Sequence, residues 1–238
     1  MLKLRELAVL GTALLSVLSI APACAANMNK SITVGDGMQT NGHSTVNGSI
    51  SIGANAIIDG SLDTVNGTIR VDENTRAEDV ETVNGSIHLA SGVSVEDVES
   101  VNGSIRLGEN VTVDGEVSVI NGKISLDKGT MVAGEVSNIN GEITLEGAEV
   151  GRDLSTINGD VSLSGGSVVR GDLIIEKPGR SNDNKRDPKI IIGPGSSVLG
   201  TIVLERKVEL YISDSAEVGG VSGVMSMDDA IRFSGARP

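Results

Sequence analysis

Apolar residues recur along most of the chain in steps of four and two positions. One stretch shows the pattern clearly, at Val101, Ile105, Leu107, Val111, Val113 and Val117. Residues two apart point to the same side of a β-strand, and a step of four carries the chain around a corner. The pattern therefore predicts short strands with two inward residues each. Three such strands make one circuit of about 18 residues.

Asn-Gly pairs mark the same period. Eight pairs occur, and seven of them follow one another at nearly equal intervals, from Asn47-Gly48 to Asn158-Gly159. A fixed short period indicates one structural unit that is stacked many times. We expect these pairs to occupy corners, because Asn and Gly tolerate positive φ. The longer circuits should hold their extra residue in a corner or a bulge, for example at Val119.

These patterns predict an all-β fold, a single-stranded parallel β-solenoid of roughly nine turns with about 18–19 residues in each, which we expect to be right-handed. The alternative is a meander or sandwich, because Asn-Gly is also a strong hairpin signal. Hairpins would require mirror alternation around every Asn-Gly pair and would not produce a three-fold sub-period. The sequence therefore favours the solenoid, in which equivalent side chains form ladders along the stack.

Residues 1–25 are typical of a secretory signal peptide, with a basic start, an apolar run and the small-residue sequence Ala23-Cys24-Ala25. Cleavage after Ala25 or Ala26 would remove the only cysteine. Lipidation of Cys24 is the less favoured alternative, because Ala21 and Pro22 precede it. No second apolar run approaches the ~20 residues that span a bilayer. We therefore predict a periplasmic or secreted protein.

The remaining chain divides into three predicted parts. Residues 26–44 form an N-terminal segment or cap, residues 45–223 form the solenoid, and residues 224–238 form a C-terminal tail or cap. Residues 177–189 are polar and contain two prolines. Because the apolar pattern resumes directly afterwards, we predict an exposed loop within the solenoid.

Composition excludes several classes of function. The chain has 19 Lys and Arg residues against 32 Asp and Glu residues, and its formal net charge is −13. Such a charge repels phosphate backbones, so nucleic acid is not an expected partner. Aromatic residues make up 1% of the chain, and Trp is absent. Sugar-cleaving clefts usually use aromatic platforms and paired carboxylates, so we expect no polysaccharide-degrading activity.

Two histidines, His43 and His88, are the candidates for acid–base chemistry. His88 is expected in an outward ladder with Arg70 and Arg106 on successive turns. A general base needs an oriented partner and a pocket, and the sequence shows neither. We favour a solvated polar ladder, with a short anion-binding stripe as the alternative, and we predict no catalytic or cofactor-binding residue.

An acidic motif is the second candidate. Glu78-Asp79-Val80-Glu81 recurs one period later as Glu96-Asp97-Val98-Glu99, and Asp63 should precede Glu81 in the same column. Stacked like charges are destabilising unless solvent, salt or a cation screens them. Calcium takes six to eight oxygen ligands, and this patch offers several, but the known glycine-rich calcium repeat is absent. We favour a solvated acidic face and predict no metal ligand.

The repeats resemble those of a known family. The phrases at residues 113–117, 169–173 and 101–105 share the form Val-x-Gly-(Asp, Glu or Ser)-aliphatic. They resemble the bactofilins, which are polymer-forming bacterial cytoskeletal proteins built as β-helices, over most of residues 45–222. Bactofilins act in the cytoplasm, whereas this chain carries an export signal. The phrase Thr-Val-Asn-Gly-Ser-Ile also resembles secreted adhesin-like β-strand-repeat proteins, which fits export better.

The function predicted from these features is that of an exported, non-enzymatic scaffold. It would form homo-oligomers or polymers through the solenoid ends, since a stack leaves an unpaired strand edge at each end. The alternative is a surface adhesin or another protein that contacts glycans or the cell envelope. A repeat-fold transferase is a weaker alternative. We expect the N-terminal end to associate more readily, because Met225, Met227, Ile231 and Phe233 can fold over the other end.

Overall fold

The computed structural model describes residues 29–179 and 186–238. The chain winds into a parallel β-solenoid, in which each strand pairs in register with the strands one circuit before and after it. Ile105, for example, pairs with Ile87 and with Ile124. We call one circuit a coil. The predicted all-β solenoid is confirmed, with about ten coils of ~19 residues rather than nine. The predicted signal peptide lies outside the described residues.

Each coil has three faces. Face 1 belongs to an 11-stranded sheet, and faces 2 and 3 belong to a 15-stranded sheet, because a few long strands run from one face to the other. The strands of face 1 are Ile32–Val34, Ile50–Ile52, Ile69–Val71, Ile87–Leu89, Ile105–Leu107, Ile124–Leu126, Ile143–Glu146, Val161–Ser164, Lys189–Ile192, Glu209–Ser213 and Ile231–Phe233. The strands of face 2 are Ser94–Val95, Thr112–Val113, Met131–Val132, Glu149–Val150 and Val168–Val169. The strands of face 3 are Val80–Asn84, Val98–Asn102, Val117–Asn121, Val136–Asn140, Leu154–Thr156 and Leu173–Ile175. The strands that span faces 2 and 3 are Gln39–Thr45, Ile57–Asn66, Ser197–Leu204 and Glu217–Gly223.

Paired strands extend from Ile32 to Phe233, so the stack continues into both terminal segments. A single 3-10 turn, Met227–Asp229, is the helical element of the described residues. Its first residue is preceded by Ser226, whose backbone N–H donates to the Asp229 carboxylate at 2.8 Å. The flanks of the predicted loop 177–189 are described, and the strand Lys189–Ile192 begins where that loop ends.

Ladders of aliphatic side chains fill the interior. On face 1, one ladder consists of fully buried isoleucines that stack from coil to coil: Ile50, Ile69, Ile87, Ile105, Ile124 and Ile143. Each fully buried side chain of this size stabilises the fold by roughly 1.5–3 kcal/mol. The column of aliphatic residues is continuous because every coil presents the same register to the next.

The predicted inward register is correct at five positions and wrong at one. The five are buried, as predicted: Ile105, Leu107, Val111, Val113 and Val117. Val101 is only half-buried and points outward, whereas Ser100 is buried in its place. Side chains alternate along the strand, so Ser100 faces inward and its neighbour faces outward. The buried hydroxyl of Ser100 is satisfied because it donates to the Gly85 carbonyl at 3.3 Å.

The corner that contains the Asn-Gly pairs depends on close stacking rather than on positive φ. All eight pairs are described, and Gly141 is the one member with positive φ. Without moving the backbone, a Cβ on Gly103 would overlap the carbonyl oxygen of Gly85 one coil below. Glycine is required there because two backbones meet with no room for a side chain. The predicted reason for these glycines was therefore wrong, although positive φ does occur at the corner between faces 1 and 2, for example at Asn74 and Asn110.

Seven of these asparagines, together with Asn29, form a continuous ladder of hydrogen bonds. Each side-chain amide donates to the side-chain oxygen of the asparagine one coil earlier, at 2.8–3.0 Å; the members are Asn29, Asn47, Asn66, Asn84, Asn102, Asn121, Asn140 and Asn158. At the last member, the Arg206 guanidinium donates to the Asn158 oxygen at 3.3 Å. The ladder therefore ends on a cation that satisfies its final acceptor.

The extra residue of the longer coils lies in the corner between faces 2 and 3. Val119 was predicted to hold it, but Val119 pairs in register with Ser100. Val113 pairs with Val95, whereas Val117 pairs with Val98, so one more residue separates the second pair than the first. The insertion therefore falls between Val113 and Val117. The corner glycine there, Gly115, leaves room for the Asp97 carboxylate of the coil below.

Candidate functional site

A column of basic residues lies on the outer surface of face 1. Arg70, His88 and Arg106 are register partners on three successive coils, so the predicted ladder is confirmed. We call these three residues the basic column. Parallel strands lie about 4.8 Å apart, so the three side chains begin within roughly 10 Å of one another along the axis.

A groove with a volume of about 380 Å³ contains all three side chains of the basic column. Arg106 pairs with Asp127, which also lines the groove, at 2.9 Å. Arg70 and His88 form no ion pair or side-chain hydrogen bond with the described residues. Two of the three basic groups are thus available to a partner outside the chain.

The environment of His88 favours its neutral form. Burial lowers its pKa, and the positive charges of Arg70 and Arg106 lower it further. No described side chain orients the imidazole by a hydrogen bond. A general base requires such orientation, so the geometry does not support acid–base catalysis at His88.

His43 lies at an inward position of the first coil, in register with the buried Leu62. Its Nε2 atom and the Thr40 hydroxyl are 2.7 Å apart. Burial lowers the pKa of His43. The pair places two polar side chains where the next coil has the aliphatic Ile58 and Leu62.

A column of acidic residues lies on the outer surface of face 3. Asp63, Glu81 and Glu99 are register partners on successive coils, as predicted. We call them the acidic column. At the N-terminal end of the column, the Ser44 hydroxyl donates to the Asp63 carboxylate at 3.0 Å. At the C-terminal end, the register partner of Glu99 is Ser118.

The acidic column is poorly solvated and repels itself. Burial and, next, the charge of Glu81 raise the pKa of Glu99 to about 8. Burial also raises the pKa of Asp63, although the hydrogen bond from Ser44 opposes that change. The Oε2 atom of Glu99 is buried and has no hydrogen-bond partner. At neutral pH, Glu99 is therefore largely protonated.

The other residues of the acidic motif lie at the corner between faces 2 and 3. The Oδ1 atom of Asp97 accepts a hydrogen bond from the backbone N–H of Glu116 at 2.7 Å, so it holds the next coil in place. Burial and the charges of Asp97 and Glu96 raise the pKa of Asp79. Glu78 lies at the same corner, one coil below Glu96. The backbone N–H of Glu96 donates to the carbonyl of Glu78. The motif thus divides into a structural corner and an outward column.

Residues 29–179 and 186–238 contain no group of three or more His, Cys, Asp or Glu side chains that could hold a metal ion. In the same ranges, no helix is long and apolar enough to cross a membrane.

The two ends of the described stack are more polar inside than its centre. In the first coil, Thr40 and His43 occupy the positions of the buried Ile58 and Leu62. In the last coil, Arg232 occupies the position of the buried Ile212. Several apolar side chains of the last coil and the tail still pack against the core in part: Val221, Met225, Met227 and Ala230.

One outer row was not predicted from the sequence. The residue before each repeated Asn-Gly pair is always valine or isoleucine and is half-buried on the outside of face 3: Val46, Val65, Val83, Val101, Ile120, Ile139 and Ile157. The sequence contains a signal for this outward row, because the residue before each member is usually Thr or Ser and alternates with it along the strand. That polar residue is buried, and at Thr64, Thr82 and Ser100 its hydroxyl donates to a glycine carbonyl of the coil before. We call this set the aliphatic row.

No family model matches the chain, and no curated protein or solved structure shows significant similarity to it.

Proposed function

We propose that this protein is an exported, non-enzymatic scaffold that associates through the ends of its solenoid. The observation that carries the proposal is that, within residues 29–179 and 186–238, the two end strands of face 1 are paired on one side only. On face 1, Ile32–Val34 and Ile231–Phe233 each pair with one neighbouring strand of the described residues. Their outer N–H and C=O groups form a template for a strand of a second copy.

The side chains at these ends favour reversible contacts. Polar residues at inward positions, such as His43 and Arg232, reduce the apolar surface that two ends could bury together. Exposed apolar residues remain beside them, notably Met38 at the first coil and Ile231 at the last. End contacts would therefore combine backbone hydrogen bonds with a small apolar area, which suits concentration-dependent assembly.

The repeat resemblance to bactofilins supports a polymer-forming role, and the predicted signal peptide supports an extracytoplasmic site. A non-enzymatic role is supported by the two histidines, since neither has a carboxylate partner among the described hydrogen bonds. The shared register of the coils supports end-to-end growth, because a strand added at either end would meet the same backbone pattern as the strands inside the stack.

Light scattering and negative-stain imaging of the mature protein, beginning near Asn27, test this proposal. We expect end-to-end species whose share grows with concentration. Removal of residues 224–238 should increase association, because Met225 and Met227 would no longer cover the core. A strictly monomeric protein in both forms would contradict the proposal, and retention of that monomer on envelope glycans would support the adhesin alternative.

A further inference from the structure

The basic and acidic columns occupy the same three coils. Each acidic member precedes a basic member by seven positions, on the other side of the Asn-Gly corner: Asp63 and Arg70, Glu81 and His88, and Glu99 and Arg106. The spacing within both columns is set by the same strand pairing, at about 4.8 Å per coil. Three acidic positions on face 3 and three basic positions on face 1 thus have identical pitch.

Each column is unfavourable within a single copy. Besides burial, the charge of Glu81 raises the pKa of Glu99, and the charges of Arg70 and Arg106 lower the pKa of His88. Arg70 and His88 have no ion pair within the described residues, and the Oε2 atom of Glu99 has no hydrogen-bond partner. An opposite column of matching pitch would place a charge of the other sign beside Glu99 and His88 and would favour the ionised form of each.

We propose that the basic column of one copy docks against the acidic column of a second copy, side by side. This proposal rests on the proposed scaffold function and adds a lateral contact to the end contacts. The occupant is a second copy because this chain itself carries an acidic column whose rise per coil brings all three pairs into register. A diffusible anion has no such register.

The surface beside the acidic column suits such a contact. The aliphatic row continues each strand of that column two positions further along, on the same side, at Val65, Val83 and Val101. The methylene stems of arginine can pack on such a row while the guanidinium reaches a carboxylate. Since the two columns lie on different faces, the contact is heterologous, and each copy can bind one neighbour through each column.

Charge reversal tests the lateral contact. One variant carries Arg70→Glu and Arg106→Glu, and a second carries Glu81→Lys and Glu99→Lys. We expect low-salt self-association of the wild type by sedimentation velocity, at least about ten-fold weaker association in each variant alone, and recovery in their equimolar mixture. High salt should abolish the lateral complexes of the wild type and of the mixture and leave the end contacts, which are the baseline for this comparison.

Two controls make the result specific. Lys128→Glu with Arg152→Glu changes the net charge as much as the first variant but leaves both columns intact, so association should remain. Glu81→Gln with Glu99→Gln adds no bulk and cannot form ion pairs with the arginines of a second copy, so it should also weaken association. This variant keeps the test valid where the Lys substitutions harm folding. The proposal would be overturned if the first variant associated as strongly as the wild type. It would also be overturned if the equimolar mixture of the two variants did not regain association. End contacts are read separately, because charge variants should still form single end-to-end filaments in negative stain.

Discussion

The central coils and the terminal coils share one backbone register but fill its inward positions differently. In the centre, aliphatic residues such as Ile105 and Leu107 are fully buried. In the first coil, His43 stands in register with Leu62, and in the last coil, Arg232 stands in register with Ile212. Some inward positions are therefore polar where a coil lies on one side only, although others, such as Val34 and Val221, remain apolar.

This difference explains how a repeat of uniform geometry can stop. A further aliphatic coil would expose its inner surface to water, at a cost of roughly 25 cal/mol for each Å². Polar side chains at the last position avoid that cost, because their charged or hydrogen-bonding atoms reach solvent. The same substitution in the centre would have no route to water.

The largest expected effect comes from exchanging the two environments. Leu107→Arg should destabilise the fold by about 3–5 kcal/mol, because the charge would be buried without a partner. Arg232→Leu, in the column that contains Leu107, should change stability by less than about 0.5 kcal/mol, because that position is exposed. Thermal unfolding of the two variants measures the difference. Equal changes in melting temperature would contradict the assigned register.

A second difference lies in the corner glycines. Gly103→Ala should destabilise the protein by about 1–3 kcal/mol, because the new Cβ would overlap the Gly85 carbonyl of the coil below. Gly220→Ala in the last coil is the matched control, because its Cβ would meet only Thr201 at ordinary contact distance. Urea unfolding of both variants gives the comparison. A tolerated alanine at Gly103 would show that the coils are not held this closely.

The glycine case also shows how far the sequence could predict this fold. Periodicity alone predicted the three-strand coil, because apolar spacing reports directly which side chains face inward. It could not reveal why glycine recurs, since positive φ and close backbone approach select the same residue. The Asn ladder was missed for a similar reason. An asparagine that tolerates a corner and one that bonds its neighbour look identical in sequence.

The charged columns were predictable in register but not in environment. The regular period placed Arg70, His88 and Arg106 in line, and it placed Glu81 beside Glu99 in the same way. Burial of the acidic side chains depends on neighbouring coils, which a linear pattern does not describe. The outward valine before Asn102 was assigned inward for a related reason, because a buried serine in its place gives no apolar signal, although its hydroxyl bonds a carbonyl.

A smaller effect concerns protonation in the central coils. The pKa of Glu99 is raised from 4.5 to about 8, so between these values the folded state keeps a proton that the unfolded chain has lost. The contribution of Glu99 to the free energy of unfolding is therefore fully present below pH 4.5 and falls as the pH rises towards 8. Glu99→Gln should remove that dependence and stabilise the protein at pH 8 on the order of 1–2 kcal/mol, after allowance for solvent screening.

Melting temperatures from pH 5 to pH 8 test this expectation. The gain of Glu99→Gln over the wild type should grow with pH. Glu217→Gln, at an exposed position of the last coil, is the control and should give no such trend. A constant offset between the Glu99 variant and the wild type at every pH would contradict the assigned environment.

The smallest expected change in stability is the difference between a substitution in the middle of the asparagine ladder and one at its end. Asn102→Ala removes two side-chain hydrogen bonds, to Asn84 and from Asn121, whereas Asn29→Ala removes the one bond described for that residue, from Asn47. Each exposed bond should contribute roughly 0.5–1 kcal/mol, so the central change should cost about twice the terminal one. Chemical unfolding resolves such a difference when both variants share one m-value. A larger loss at Asn29 would mean that the first coil, rather than the centre, limits the stability of the stack.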